Sequence, residues 1–228
     1  MTAHLVDLRG RIPGNPQPNQ GTVDKKYGIT IHYNGPPVKL NDLDQLTLDA
    51  RYHMRPNGFG PGATANGIQY EYAVGQDGTQ YRLRNPRSFL WHAAHPNPNQ
   101  WAYSITFLIG DGQRITRAAR DSMAALCERL MGLDGFGRDR IKGHQEWSPT
   151  ACPGTAQQDF VLPFRAGTLK AGMSPKPPAA KSQPLPSPDY VNRLIVGSYT
   201  DPEEMAKALE TAKARGYKDA WFSRVKVH

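Results

Sequence analysis

The sequence predicts an α/β fold: a mixed central β-sheet with flanking helices, followed by a small C-terminal βαβ module. Short runs rich in β-branched and aromatic residues at 27–32, 70–74, 79–83 and 103–109 have strand length and composition. Residues 42–54 and 115–133 instead carry apolar side chains at helical spacing. The resulting order β, α, β, β, β, α calls for helices packed on a sheet.

In chain order, residues 1–24 are rich in Pro, Asn, Gln and Gly and read as an irregular lead-in. The strand at 27–32 ends at His32 and runs into the turn residues Asn34-Gly35. Asn41 or Asp42 caps the first helix, whose apolar positions are Leu43, Leu46, Ala50 and Met54. Residues 55–66 form a Gly/Pro/Asn loop without periodicity. The strands at 70–74 and 79–83 flank Gly75-Gln76-Asp77-Gly78, whose Asp-Gly pair signals a hairpin. After the buried strand at 103–109, the main helix at 115–133 presents Met123, Leu126, Cys127, Leu130 and Met131 as an apolar stripe. Residues 138–142 lead into a second loop. From 166 to 188 prolines mix with Ala, Ser and Lys, the composition of a semi-extended linker with too few apolar residues for a core. Residues 193–199 then read as a strand, a helix starts at Asp201-Pro202 with Met205, Ala208, Leu209 and Ala212 on one face, and 220–227 is a second strand. The domain boundaries are therefore a lead-in at 1–24, a main domain at 25–165, a linker at 166–188 and a module at 189–228.

Composition narrows the function. A chain of 228 residues has room for one ordinary domain and an appendage. No run of 18 apolar residues exists, which gives no transmembrane segment, and the first residues lack the apolar stretch of a signal peptide. Two cysteines make no disulfide framework; Cys127 falls on the helix stripe, leaving Cys152 for chemistry. A net charge of +8 suits an acidic polymer, but no nucleic-acid motif or tight basic run accompanies it, so no nucleic-acid partner is expected.

The chemistry concentrates in Gly143-His144-Gln145-Glu146-Trp147-Ser148-Pro149-Thr150-Ala151-Cys152-Pro153-Gly154. Pro149, Pro153 and Gly154 argue for a loop that can fold back and bring imidazole and thiolate to one point. Zn²⁺ accepts both ligand types. Two ligands hold a metal poorly, and His32, at a strand end, is the best third. Three protein ligands are the catalytic arrangement, with one coordination position left open. Taken alone, a strand-end histidine is usually a packing or surface residue and a lone cysteine a small buried hydrophobe.

Four blocks, in order, resemble the zinc-dependent N-acetylmuramoyl-L-alanine amidases, the family shared by phage lysis enzymes and peptidoglycan recognition proteins. Ile29-Thr30-Ile31-His32-Tyr33-Asn34 is similar to the first ligand strand. Tyr52-His53-Met54 with Gly67-Ile68-Gln69-Tyr70-Glu71-Tyr72-Ala73-Val74 is similar to the helix end and catalytic-tyrosine strand. Trp91-His92-Ala93 with Ser104-Ile105-Thr106-Phe107 is similar to the cleft wall, and 143–154 to the second ligand loop. Three departures stand out: a long glycine-rich loop at 55–66, an extra Pro-Asn-Pro-Asn piece between His92 and Ser104, and Thr150 where relatives often carry lysine.

The resemblance implies a peptidoglycan hydrolase cutting the amide between N-acetylmuramic acid and L-alanine, with Zn²⁺ on His32, His144 and Cys152. Tyr70 and Thr150 would be catalytic, and His53 and His92 would contact substrate. Glu71 and Glu146 are rival general bases; strand alternation turns Glu71 away from Tyr70, while Glu146 stays open. Residues 189–228 resemble half of a sporulation-related repeat (SPOR) domain, a wall-binding module. A phage or prophage endolysin, held in the host cytoplasm until lysis and then acting on a wall with anionic polymers, is the implied setting. A peptidoglycan-binding protein without catalysis is the alternative, and the presence of Cys152 speaks against it, since binding-only relatives commonly lose that ligand.

Overall fold

The computed structural model describes residues 4–17 and 20–169. The expected linker, from residue 170 onward, and the whole SPOR-like module lie outside the described residues. Among the described residues, six strands form one mixed sheet: β1 (Leu5–Asp7), β2 (Gly28–Tyr33), β3 (Tyr72–Val74), β4 (Gln80–Arg82), β5 (Ala102–Phe107) and β6 (Ile141–Gly143). Their spatial order is β1-β4-β3-β5-β2-β6. The central strands β3, β5, β2 and β6 run parallel, and the β3–β4 hairpin is antiparallel as its Asp-Gly turn predicts. The helices are α1 (Asp42–His53), α2 (Pro96–Trp101), α3 (Arg117–Asp134) and α4 (Leu162–Arg165). No helix among the described residues is long and apolar enough to cross a membrane.

Both long helices start where their caps place them. The Asn41 side chain accepts from the Asp44 backbone N–H, and Thr116 accepts from that of Ala119, each satisfying an orphan donor of the first turn. Gly135, in the left-handed region, ends α3. Alternation along β2 sorts its side chains: Ile29 and Ile31 join Met123, Leu126, Cys127, Leu130, Phe160 and Phe164 in one core layer. A second, smaller layer groups Leu46 and Ala50 of α1 with Ile68, Ala73, Leu83 and Leu108. Thr30 and His32 occupy the alternate β2 positions and are buried despite their polarity.

Three elements depart from the expectation. The lead-in contains an edge strand, β1, paired parallel with β4; at three residues it is too short for a periodicity signal. Residues 138–142 hold a 3₁₀ turn and β6, whose three residues pair with β2. The Pro-Asn-Pro-Asn piece is α2, which proline can start because its missing N–H falls in the first turn.

Candidate metal centre

His32 lies near the carboxyl end of β2, and His144 directly follows β6. These strands are parallel neighbours with Ile31 opposite Gly143, so the next residue of each strand emerges at the same place. The two imidazoles accordingly sit with ring centroids 4.8 Å apart. A Cβ at Gly143 would displace the Gln157 amide and press on the Pro153 ring at 2.9 Å, so glycine fits the tight return of the loop. After a 3₁₀ turn over His144–Glu146 the loop folds back, and the Gln145 N–H donates to the Cys152 carbonyl at 2.8 Å. That return places Cys152 Sγ 3.6 Å from His32 Nδ1, across 120 positions of sequence.

One ligand atom from each of His32, His144 and Cys152 lies within 4.8 Å of the others. His32 is 1% and Cys152 8% exposed. Burial, joined by the neighbouring imidazoles His92, His144 and His53, drives His32 well below the usual histidine range. Burial also lowers His144, against a hydrogen bond with the Ala93 backbone, and pushes the Cys152 thiol up to about 12. Neutral imidazoles are ligand-ready, and a thiol in such a place ionises when a cation arrives. Further observations fit a metal. His144 Nε2 is buried with no hydrogen-bond partner. In a tetrahedral site with zinc–sulfur and zinc–nitrogen bonds of ordinary length, S and N stand about 3.6 Å apart, the separation found here. Imidazole nitrogen and thiolate sulfur are ligand types that zinc accepts, and three such ligands would leave a coordination position open.

The structure brings Tyr70 to this cluster, its ring 5.2 Å from that of His32. Burial, then the negative charges of Cys152 and Asp49, hold its phenol well above the usual range. β3 starts only at Tyr72, so Tyr70 and Glu71 lie in the bend before it. Glu71 points away, fully buried, with Lys26 Nζ 3.1 Å off and the Ser104 N–H donating at 2.6 Å. Glu146 accepts from Gly143 N–H, Gln157 and Arg165 at 2.9, 3.1 and 2.7 Å. Burial works to raise its carboxyl, but Arg165 and the other donors outweigh that and lower it. Thr150 Oγ1 accepts from the Cys152 N–H at 3.2 Å.

His53 packs edge-on against Tyr70 at 5.1 Å. Its Nδ1 accepts from the Gln69 N–H, and burial pushes it down to about 4. His92 was expected at the substrate, but both its ring nitrogens are engaged inside the protein. Nδ1 stands 3.0 Å from His32 Nε2, and Nε2 stands 3.0 Å from the Pro98 carbonyl. Sequence reasoning missed Phe59, whose ring touches both His53 and Trp91 and continues an aromatic wall outward from Tyr70. It also missed Asn99, whose Oδ1 accepts from the backbone of His92 and Ala93. An isolated aromatic in a glycine-rich loop and an asparagine between prolines carry no periodic signal.

A family model described as N-acetylmuramoyl-L-alanine amidase matches residues 24–155. Among curated protein sequences none matches. Solved structures share the fold. The N-acetylmuramoyl-L-alanine amidase LysC from Clostridium intestinale is 20% identical with a TM-score of 0.50, covering 70% of this chain and 99% of its own. Drosophila peptidoglycan recognition protein SD is 20% identical with a TM-score of 0.53, covering 68% and 90%. Peptidoglycan recognition protein LE, solved with a monomeric diaminopimelic acid-type peptidoglycan, is 16% identical with a TM-score of 0.55, covering 73% and 94%.

Proposed function

The chain belongs to the N-acetylmuramoyl-L-alanine amidase family, and from that premise we propose that it is a zinc-dependent peptidoglycan hydrolase cleaving the amide between N-acetylmuramic acid and L-alanine. The observation that carries the reading is the convergence of His32, His144 and Cys152 on one point. Zn²⁺ held there would supply Lewis acidity toward the scissile carbonyl and acidify water at neutral pH.

The remaining steps fall to the chain's own residues. Amide hydrolysis needs an oxyanion stabilised and a leaving amine protonated. Tyr70 stands against His32. A phenol, with an ordinary pKa near 10, keeps its proton at neutral pH and can donate it to either atom. Thr150 Oγ1 already accepts from the Cys152 N–H, which leaves its own proton to donate as a second support. Glu146 is committed to Arg165, Gln157 and Gly143, and Glu71 to Lys26, so neither is the base in this reading. The wall of Tyr70, His53, Phe59 and Trp91 offers faces for the sugar and stem peptide and excludes water. Residues 189–228 would hold the enzyme on the wall, its positive charge adding attraction to anionic wall polymers. An endolysin made in the host cytoplasm and acting at lysis is the setting we assign.

Zinc content and a mass-spectrometric map of the bond cut in purified peptidoglycan test this together. Cys152→Ala should lose metal and activity in step. Full zinc occupancy in that variant would refute the ligand set. A zinc-loaded parent that binds walls yet frees no amino termini would instead be a recognition protein.

A further inference from the structure

We propose that His92 is a positioning residue: anchored on the Pro98 carbonyl, it fixes the tautomer and ring orientation of His32 so that Nδ1 is the atom presented to the metal. The inference rests on the metal reading above, but its logic starts at a group with no freedom. A carbonyl only accepts, so His92 Nε2, 3.0 Å from Pro98 O, must carry the hydrogen. The neutral ring then has its lone pair on Nδ1. His32 Nε2, 3.0 Å from that nitrogen, must in turn be the donor. His32 is left with its lone pair on Nδ1, the nitrogen 3.6 Å from Cys152 Sγ. The opposite assignment needs a doubly protonated His92, a buried cation to which no carboxylate among the described residues is hydrogen-bonded.

Neighbouring contacts hold the chain of bonds in place. The Asn99 side chain accepts the backbone N–H groups of both His92 and Ala93, at 2.9 and 2.8 Å, and so sets the angle at which the ring leaves the backbone. Pro98 is itself buried in α2, and its carbonyl also accepts the Ala102 N–H that closes the helix. The Pro-Asn-Pro-Asn piece thus supplies both the anchor and the clamp for the residue behind a metal ligand. Ligating histidines generally donate their second nitrogen to a fixed acceptor, and losing that partner costs roughly 10–100-fold in metal affinity.

Long-range ¹H–¹⁵N spectra of the metal-free full-length protein should show both His32 and His92 protonated on Nε2. Protonation of either on Nδ1, or an imidazolium signature, overturns the proposal. His92→Phe fills the ring's volume without a nitrogen; with an unchanged far-UV spectrum its zinc affinity, read by chelator competition, should fall about 10–100-fold. His92→Asn restores an acceptor near Nδ1 and should recover part of that loss. A folded His92→Phe protein with parental zinc affinity overturns the proposal. If His92→Phe does not fold, the spectra of the parent decide. A parent that binds no zinc refutes the metal reading, and the same spectra still uphold or overturn the tautomer assignment.

Discussion

Lys26→Met is the sharpest test of how the site is held. Lys26 and Glu71 are both fully buried and 3.1 Å apart. Lys26 Nζ also donates to the carbonyls of Ser88, Gln100 and Ala102. One ammonium therefore joins the bend carrying Tyr70, the segment leading to Trp91-His92, the end of α2 and the start of β5. Burial pushes the Lys26 amine down and the Glu71 carboxyl up, and the attraction between them opposes both shifts. Removing the amine leaves Glu71 with the Ser104 N–H as its remaining strong donor and strips a donor from three carbonyls. Breaking a buried pair from one side costs about 3–5 kcal/mol. At about 2–4 °C per kcal/mol for a domain of this size, a loss of about 4 kcal/mol lowers the melting temperature by about 8–16 °C, read by circular dichroism. Lys26→Met/Glu71→Met, which removes both charges, should be no less stable than the single variant. A single variant melting within about 2 °C of the parent would refute the reasoning.

Tyr70→Phe should keep zinc and lose about 100-fold or more in turnover, the size of a removed proton donor; unchanged turnover at full occupancy would move the role to Thr150 or Glu146. Burial raises Asp49 to about 6, against hydrogen bonds from Gln45 and Asn34, so the folded state holds that proton more tightly than the unfolded chain. Its stabilising contribution is full below about pH 4 and lost as pH rises through about 6; Asp49→Asn in metal-free protein should flatten that decline, worth up to about 3 kcal/mol in urea titrations, and an unaltered slope would exclude Asp49 as its source. A chain ending after Leu169, which packs on the core and whose carbonyl accepts from Arg138, should fold, bind zinc and cleave soluble muropeptides while losing affinity for intact walls; undiminished wall binding would leave residues 189–228 without that role.

The fold was legible wherever a local signal reached a full element. The Asn41 cap of α1, the Asp77-Gly78 turn, the stripe of α3 and the Leu46 and Ala50 positions of α1 are properties of a few adjacent residues, whereas Leu43, expected on the buried face, is exposed and α3 starts at Arg117 rather than Ile115. β1 and β6 were not legible, because each has three residues and exists through pairing with a distant strand. α2 was hidden by its own composition: prolines that usually break helices here occupy its first turn. The turning away of Glu71 followed from alternation, although Tyr70 and Glu71 lie just before β3 rather than within it.

The site shows a sharper division. Residue types and loop composition pointed to His32, His144 and Cys152, but nothing local in the sequence says that they meet. That depends on one register: β2 and β6 are parallel with Ile31 opposite Gly143, so His32 and His144 leave adjacent strands at the same carboxyl end. Carboxyl ends of parallel strands are where α/β sheets generally build their sites. A one-residue slip of β6 would turn its side chains to the other face, and would put a larger residue where Gly143 now lies, displacing the Gln157 amide and crowding the Pro153 ring. The internal bonds of His92 were hidden for a related reason. A histidine after tryptophan in a cleft-wall block suggests substrate contact, whereas its neighbour in space, the Pro98 carbonyl, is six positions on inside a helix the composition concealed. What sequence supplies is the set of groups able to bind a metal; what the sheet register and α2 supply is which of their atoms face it.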